Sequence, residues 1–174
     1  QAEANRRKRY SSVATRPAVG DDPVAFINER IIIDDAQGDG ELGTMPFHLW
    51  EAQSALLRDI HAERLLLILK ARQLGISWLV CAYALWLCLY HANQLVMVFS
   101  KDQDSANEMV RRVAGMYARL KDKPVGLTLA NVSTIAWANG SRVKSFAATE
   151  DAGSSFTASL TILDEFAKMR YADA

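Results

Sequence analysis

Three observations predict an α/β fold, with a mainly parallel sheet flanked by helices and a β-hairpin ahead of the last strand. There are three apolar runs of strand length, RLLLILK (64–70), NQLVMVFS (93–100) and SLTIL (159–163). Helix-like segments at 76–91 and 101–122 follow the first two runs. An Asn139–Gly140 dipeptide separates two short alternating runs, the usual mark of a tight hairpin. Apolar runs without alternation suit strands covered on both faces, and strand–helix–strand order favours parallel crossovers.

Residues 1–22 read as a mobile arm with a basic run, Arg6, Arg7, Lys8 and Arg9, and residues 23–174 as one domain. PVAFINERIII (23–33) has proline in its first turn and suits a short helix. DDAQGDGELG (34–43) reads as a loop. It lacks the ligand run and closing glutamate of a calcium loop. A helix is expected from near Pro46, with Leu49, Ala52, Leu56 and Ile60 on its inner face. The segment 76–91 is apolar throughout. Its Cys81 and Cys88 lie two helical turns apart, too far for a disulfide, and read as small buried hydrophobes. The next helix has Asp102 or Asp104 as its N-cap and Met109, Val113, Met116 and Leu120 as its inner stripe.

Composition narrows the function. Lys plus Arg and Asp plus Glu number 20 each, so net charge gives no general attraction to nucleic acid or anionic membrane. Residues 73–90 carry no formal charge and reach the lower length limit of a membrane span, but the strand-like run before them favours a core helix, and no membrane association is expected. The N-terminal residues lack the apolar core of a secretory signal.

In a parallel α/β sheet, ligands bind beyond the carboxyl ends of the strands. Charged stretches fall at three such ends: KARQLGIS (70–77), SKDQ (100–103) and Asp164–Glu165. A strand-to-helix turn offers backbone N–H groups and a favourable dipole to phosphate, and glycine permits close approach. The standard loop is G-x-x-x-x-G-K-[ST]. Here Gly75 and Ser77 fit, while Lys70 stands at the first glycine position and Ile76 at the lysine position. Lys70 and Arg72 restore the cationic inventory. Alone, the stretch reads equally as a phosphate loop or as a basic turn without ligand. An apolar strand ending in two acids adds the second half of a nucleotide-hydrolase site, Asp164 for magnesium and Glu165 for the attacking water. Together they predict an ASCE-type P-loop NTPase, with Walker A at 70–77 and Walker B at 160–165.

LILKARQLGISW with SSFTASLTILDEFAKM resembles the ATPase domain of the large terminase subunit, the DNA-packaging motor of tailed bacteriophages and prophages, over about residues 45–170. That family often carries variant loops of the form [KS]-x-R-x-x-G-x-[ST]. The resemblance implies a nucleotide-binding loop of Lys70, Ala71, Arg72, Gln73, Leu74, Gly75, Ile76 and Ser77. Lys70 and Arg72 would act on the phosphates, Ser77 and Asp164 on Mg2+, and Glu165 on water. PFHLWEAQ resembles the segment whose glutamine reads adenine, which points to Gln53 with Trp50 or Phe47 near the base; as a bare residue Gln53 reads equally as a surface helix position. An Arg-Gly that often precedes the last strand is replaced here around Ser154 and Ser155; Arg142 is the candidate substitute for an arginine finger, though an arginine in a hairpin reads more readily as simply solvated.

The expected function is Mg-dependent ATP hydrolysis that moves double-stranded DNA into a procapsid. The expected setting is a homo-oligomeric ring with portal protein and small terminase subunit, in the bacterial host cytoplasm. The chain would be the front of such a domain, without coupling motif or nuclease domain. The alternatives are a helicase-like or other P-loop ATPase acting on nucleic acid, and a nucleotide-binding module without turnover.

Overall fold

A computed structural model of the chain describes residues 19–35, 43–71, 73–147 and 155–169. Most of the basic arm (1–18), Arg72 and Ser154 lie outside the described residues. Helix α1 (Pro23–Arg30) is capped by Asp22, whose carboxylate accepts from the Val24 N–H at 2.8 Å. It ends earlier than the sequence suggests. Ile32–Asp34 forms β1, paired antiparallel with β2 (Thr44–Pro46), so the β-branched run that looked like helix is a short ribbon. Pro46 accordingly lies in a strand, and α2 spans Glu51–Ala62. Its buried residues are Gln53 and Leu57; of the expected face, Leu49, Leu56 and Ile60 pack only partly against the core and Ala52 is exposed.

Helix α3 (Ile76–Tyr90) is the centre of the core, followed by β3 (Leu95–Ser100), buried along its whole length. Helix α4 (Gln103–Arg119) starts at Asp102, which accepts from the Ser105 N–H at 2.7 Å; Met109, Val113 and Met116 face inward, and Leu120 is buried just beyond its end. Strands β4 (Leu127–Ala130), β5 (Thr134–Trp137), β6 (Arg142–Ala147) and β7 (Leu160–Leu163) complete a sheet of order β4-β5-β6-β3-β7. The expected hairpin is β5–β6, with Gly140 at φ 83° in its turn.

The sheet is mixed, not mainly parallel. β3 pairs parallel with β6 and with β7, while β4–β5 and β5–β6 are antiparallel. The added antiparallel strand β4 extends the hairpin into a meander. The larger core cluster joins Val96, Val98, Val143, Ile135 and Ile162 of the sheet to α1–α4. Leu95, Met97 and Phe99 point the other way and form a smaller cluster with Met169, flanked by Phe146 and Ala158.

The largest departure concerns residues 64–70. They form no strand. Leu65, Leu67 and Leu69 are 91%, 88% and 101% exposed. A strand buried on both faces needs a neighbour to complete its ladder, and among the described residues β7 pairs only with β3, leaving the sheet to end there. Ile68 alone of the run packs against the core. No helix among the described residues is long and apolar enough to cross a membrane.

Candidate functional site

The carboxyl ends of β3 and β7 and the start of α3 meet at one edge. The turn into α3 is tightly bent, with Gln73 at φ 64° and Gly75 at φ 69°. Gly75 is the N-cap of α3 and no side chain caps the helix start, which leaves first-turn N–H groups available to an anion or water. The Gly75 carbonyl accepts the first helical bond, from the Leu79 N–H at 3.0 Å. Ile76, at the usual lysine position, is buried in the main core. Its side chain anchors the helix start and offers nothing to a phosphate.

Ser77 and Lys70 converge on Asp164. The Ser77 hydroxyl donates to Asp164 Oδ2 at 3.2 Å, and the Lys70 ammonium lies 3.8 Å from Oδ1. Asp164 is placed by the sheet: its N–H donates to the Phe99 carbonyl at 2.9 Å, continuing the β3–β7 ladder past the end of β7. Glu165 follows at φ 55°, a left-handed conformation uncommon outside glycine, and begins a single 3-10 turn (Phe166–Lys168). Lys168 Nζ donates to Glu165 Oε1 at 3.1 Å, and Lys101 Nζ lies 3.8 Å from Oε2. The Lys168 hydrogen bond, reinforced by the charges of Lys168, Lys101 and Lys70, holds the Glu165 carboxyl below the usual carboxylate range.

The sequence alone gives Lys101 and Lys168 no role. Lys101 lay in a stretch that stood out by its charge, and Lys168 follows Glu165 by one helical turn. Beside Glu165 opens a depression of about 340 Å³, also lined by Lys101, Glu108 and Arg112.

The donor set fits magnesium. Ser77 and Asp164 supply two hard oxygens already within hydrogen-bonding distance of each other. Mg2+ keeps several waters and is held by one or two carboxylates plus substrate phosphates. Among the described residues no group of three or more His, Cys, Asp or Glu forms a closed metal cage.

The remaining predicted residues divide. Gln53 is buried against the turn into α3, its Nε2 donating to the Leu74 carbonyl at 3.0 Å. Phe47 is buried beneath Gly75, and Trp50 stands 63% exposed at the start of α2. Arg142 pairs with Leu95 at the opposite end of the strands.

These features define an α/β domain with a basic, glycine-bent turn and two acids gathered at one sheet edge. The family model described as "Terminase large subunit, T4likevirus-type, N-terminal" matches residues 67–174, more than half of the chain and inclusive of both motifs. The chain belongs to the terminase large-subunit N-terminal family, whose members are generally ATPases and which points to phage DNA packaging. A comparison with curated proteins finds no match.

Proposed function

We propose that this chain is the ATP-hydrolysing part of a DNA-packaging motor, acting at the edge where the α3 turn meets β7. The observation that carries the reading is the approach of Ser77 and Lys70 to one carboxylate, that of Asp164. A phosphate loop and an acidic strand end must lie this close to share one triphosphate and its metal.

The backbone of residues 71–76 would cradle phosphate oxygens, with Lys70 and Arg72 as the balancing charges. The ammonium of Lys70 enters from the loop's beginning because the usual position is taken by buried Ile76. Ser77 and Asp164 would hold Mg2+, which when bound neutralises charge on the phosphates. Glu165 would orient the attacking water and accept its proton. The Trp50 ring, exposed at the start of α2, is available for stacking on the base.

The work of hydrolysis would move double-stranded DNA into a procapsid. The partners would be portal protein, small terminase subunit and further copies of the chain in a ring within the host cytoplasm.

The deciding measurement is ATP turnover and ATP binding in two variants. Glu165→Gln is expected to lower turnover by roughly 100-fold or more while keeping ATP affinity. Lys70→Ala is expected to lose both. Unchanged turnover in either variant refutes the role given to that residue.

A further inference from the structure

The side chain of Gln53 is 5% exposed, and both ends of its amide are engaged. Oε1 accepts from the Trp50 N–H at 3.0 Å and so caps the start of α2. Nε2 donates at 3.0 Å to the carbonyl of Leu74, the residue between the two left-handed residues Gln73 and Gly75. The ladder of α3 begins one residue later, at the Gly75 carbonyl, so the Leu74 carbonyl has no partner within the helix. A Cβ added at Gly75 would lie 3.0 Å from Gln53 Nε2, so the bare glycine and the amide fit together.

We propose that Gln53 is a positioning residue of the phosphate loop, pinning the Leu74 carbonyl so that the N–H groups at the start of α3 stay aimed at a triphosphate whatever base it carries. This rests on the nucleotide reading given above. A primary amide offers two N–H donors and two acceptor lone pairs. One of each is already spent inside the protein, and burial leaves almost no surface on which a base could approach the remainder. Without the pin, Leu74 and Gly75 are free to leave the left-handed turn, and the oxygen-binding geometry has to be rebuilt each time a ligand arrives.

The test measures binding of Mg-ATP, Mg-GTP and Mg-tripolyphosphate to the 174-residue chain and to two variants. Gln53→Ala removes both bonds. Gln53→Glu keeps the acceptor for the Trp50 N–H and replaces the donor to Leu74 by a carboxylate oxygen, so Gln53→Ala, which adds no charge, is the control for charge repulsion. Both variants are expected to lose about fivefold to tenfold in affinity, equally for the three ligands, the scale of one hydrogen bond. Amide hydrogen exchange should quicken at residues 74–78 in both, without ligand, while exchange in β3 and α4 is unchanged.

A loss confined to ATP would make Gln53 a base reader and overturn the proposal. Unaltered binding of all three would overturn it as well. If the unsubstituted chain bound none of the three, the nucleotide reading itself would fall. Wild-type binding with indifferent Gln53 variants would sink only the positioning role.

Discussion

Glu165 is the residue whose surroundings most constrain the chemistry. Its carboxylate is held ionised chiefly by Lys168, with Lys101 and Lys70 adding charge. A carboxyl with a depressed folded pKa stays a proton acceptor down to lower pH, and its activity is lost only as pH falls through that depressed value. Removing Lys168 should raise the Glu165 pKa toward normal. If Glu165 takes the water's proton as proposed, Lys168→Ala is expected to move the acid limb of ATP turnover to higher pH, read from turnover against pH. The cysteines give an independent check on the core. Burial pushes both thiols up to about 12. At pH 8 neither Cys81 nor Cys88 should react with a thiol reagent in the native protein, and both should label once denaturant is added. Asp164 and Glu165 were legible because they close an apolar run that does form a strand, and Lys70 and Ser77 because they flank a glycine turn into a helix, although the run before Lys70 forms no strand; Lys101 and Lys168 were given no role. The engagement of Gln53 was not, since a glutamine in the first turn of a helix has the same pattern whether its amide meets a base, water or a neighbouring carbonyl.

Among the elements, the hairpin shows how a dipeptide becomes architecture. Asn139 Nδ2 donates to the Cys88 carbonyl at 2.8 Å and to the His91 carbonyl at 3.3 Å, so the β5–β6 turn caps the end of α3. Gly140 is left-handed, and a Cβ there would overlap the Asn93 carboxamide oxygen. Gly140→Ala should destabilise the chain by roughly 1–3 kcal/mol, measured by denaturant unfolding. Asn-Gly announced the turn in the sequence, and the two-sided apolar run of β3 announced a central strand. The mixed direction of the sheet was hidden, because whether Leu127–Ala130 joins by an antiparallel or parallel path depends on where its partner lies. The Ile31–Ile33 run fits a helix or a strand by hydrophobicity alone. Pairing with β2 decides it.

At the scale of the molecule, the sheet is bounded by two edge strands, the meander strand β4 on one side and β7 on the other. The outer edge of β7 has no strand partner among the described residues, and the leucines at 65, 67 and 69 cover nothing. Unpaired strand edges and apolar runs in water promote association. The 174-residue chain should self-associate with rising concentration, and the double variant Leu65→Lys, Leu67→Lys should shift it toward monomer in sedimentation velocity. Unchanged association would show that the run is not the adhesive surface. The pattern of residues 64–70 announced a buried strand, and only the composition of the run was legible; burial belongs to the neighbours it meets.

Helix α3 ties these scales together. It starts from Gly75 in the glycine-bent turn beside Asp164 and ends under the Asn139 latch, 15 residues later. At about 1.5 Å per residue it is a stiff rod roughly 22 Å long. One rod therefore spans from the Ser77–Asp164 contact at one rim of the sheet to the Asn139 turn at the other, and a displacement of its first turn is expected to be felt at the β-meander.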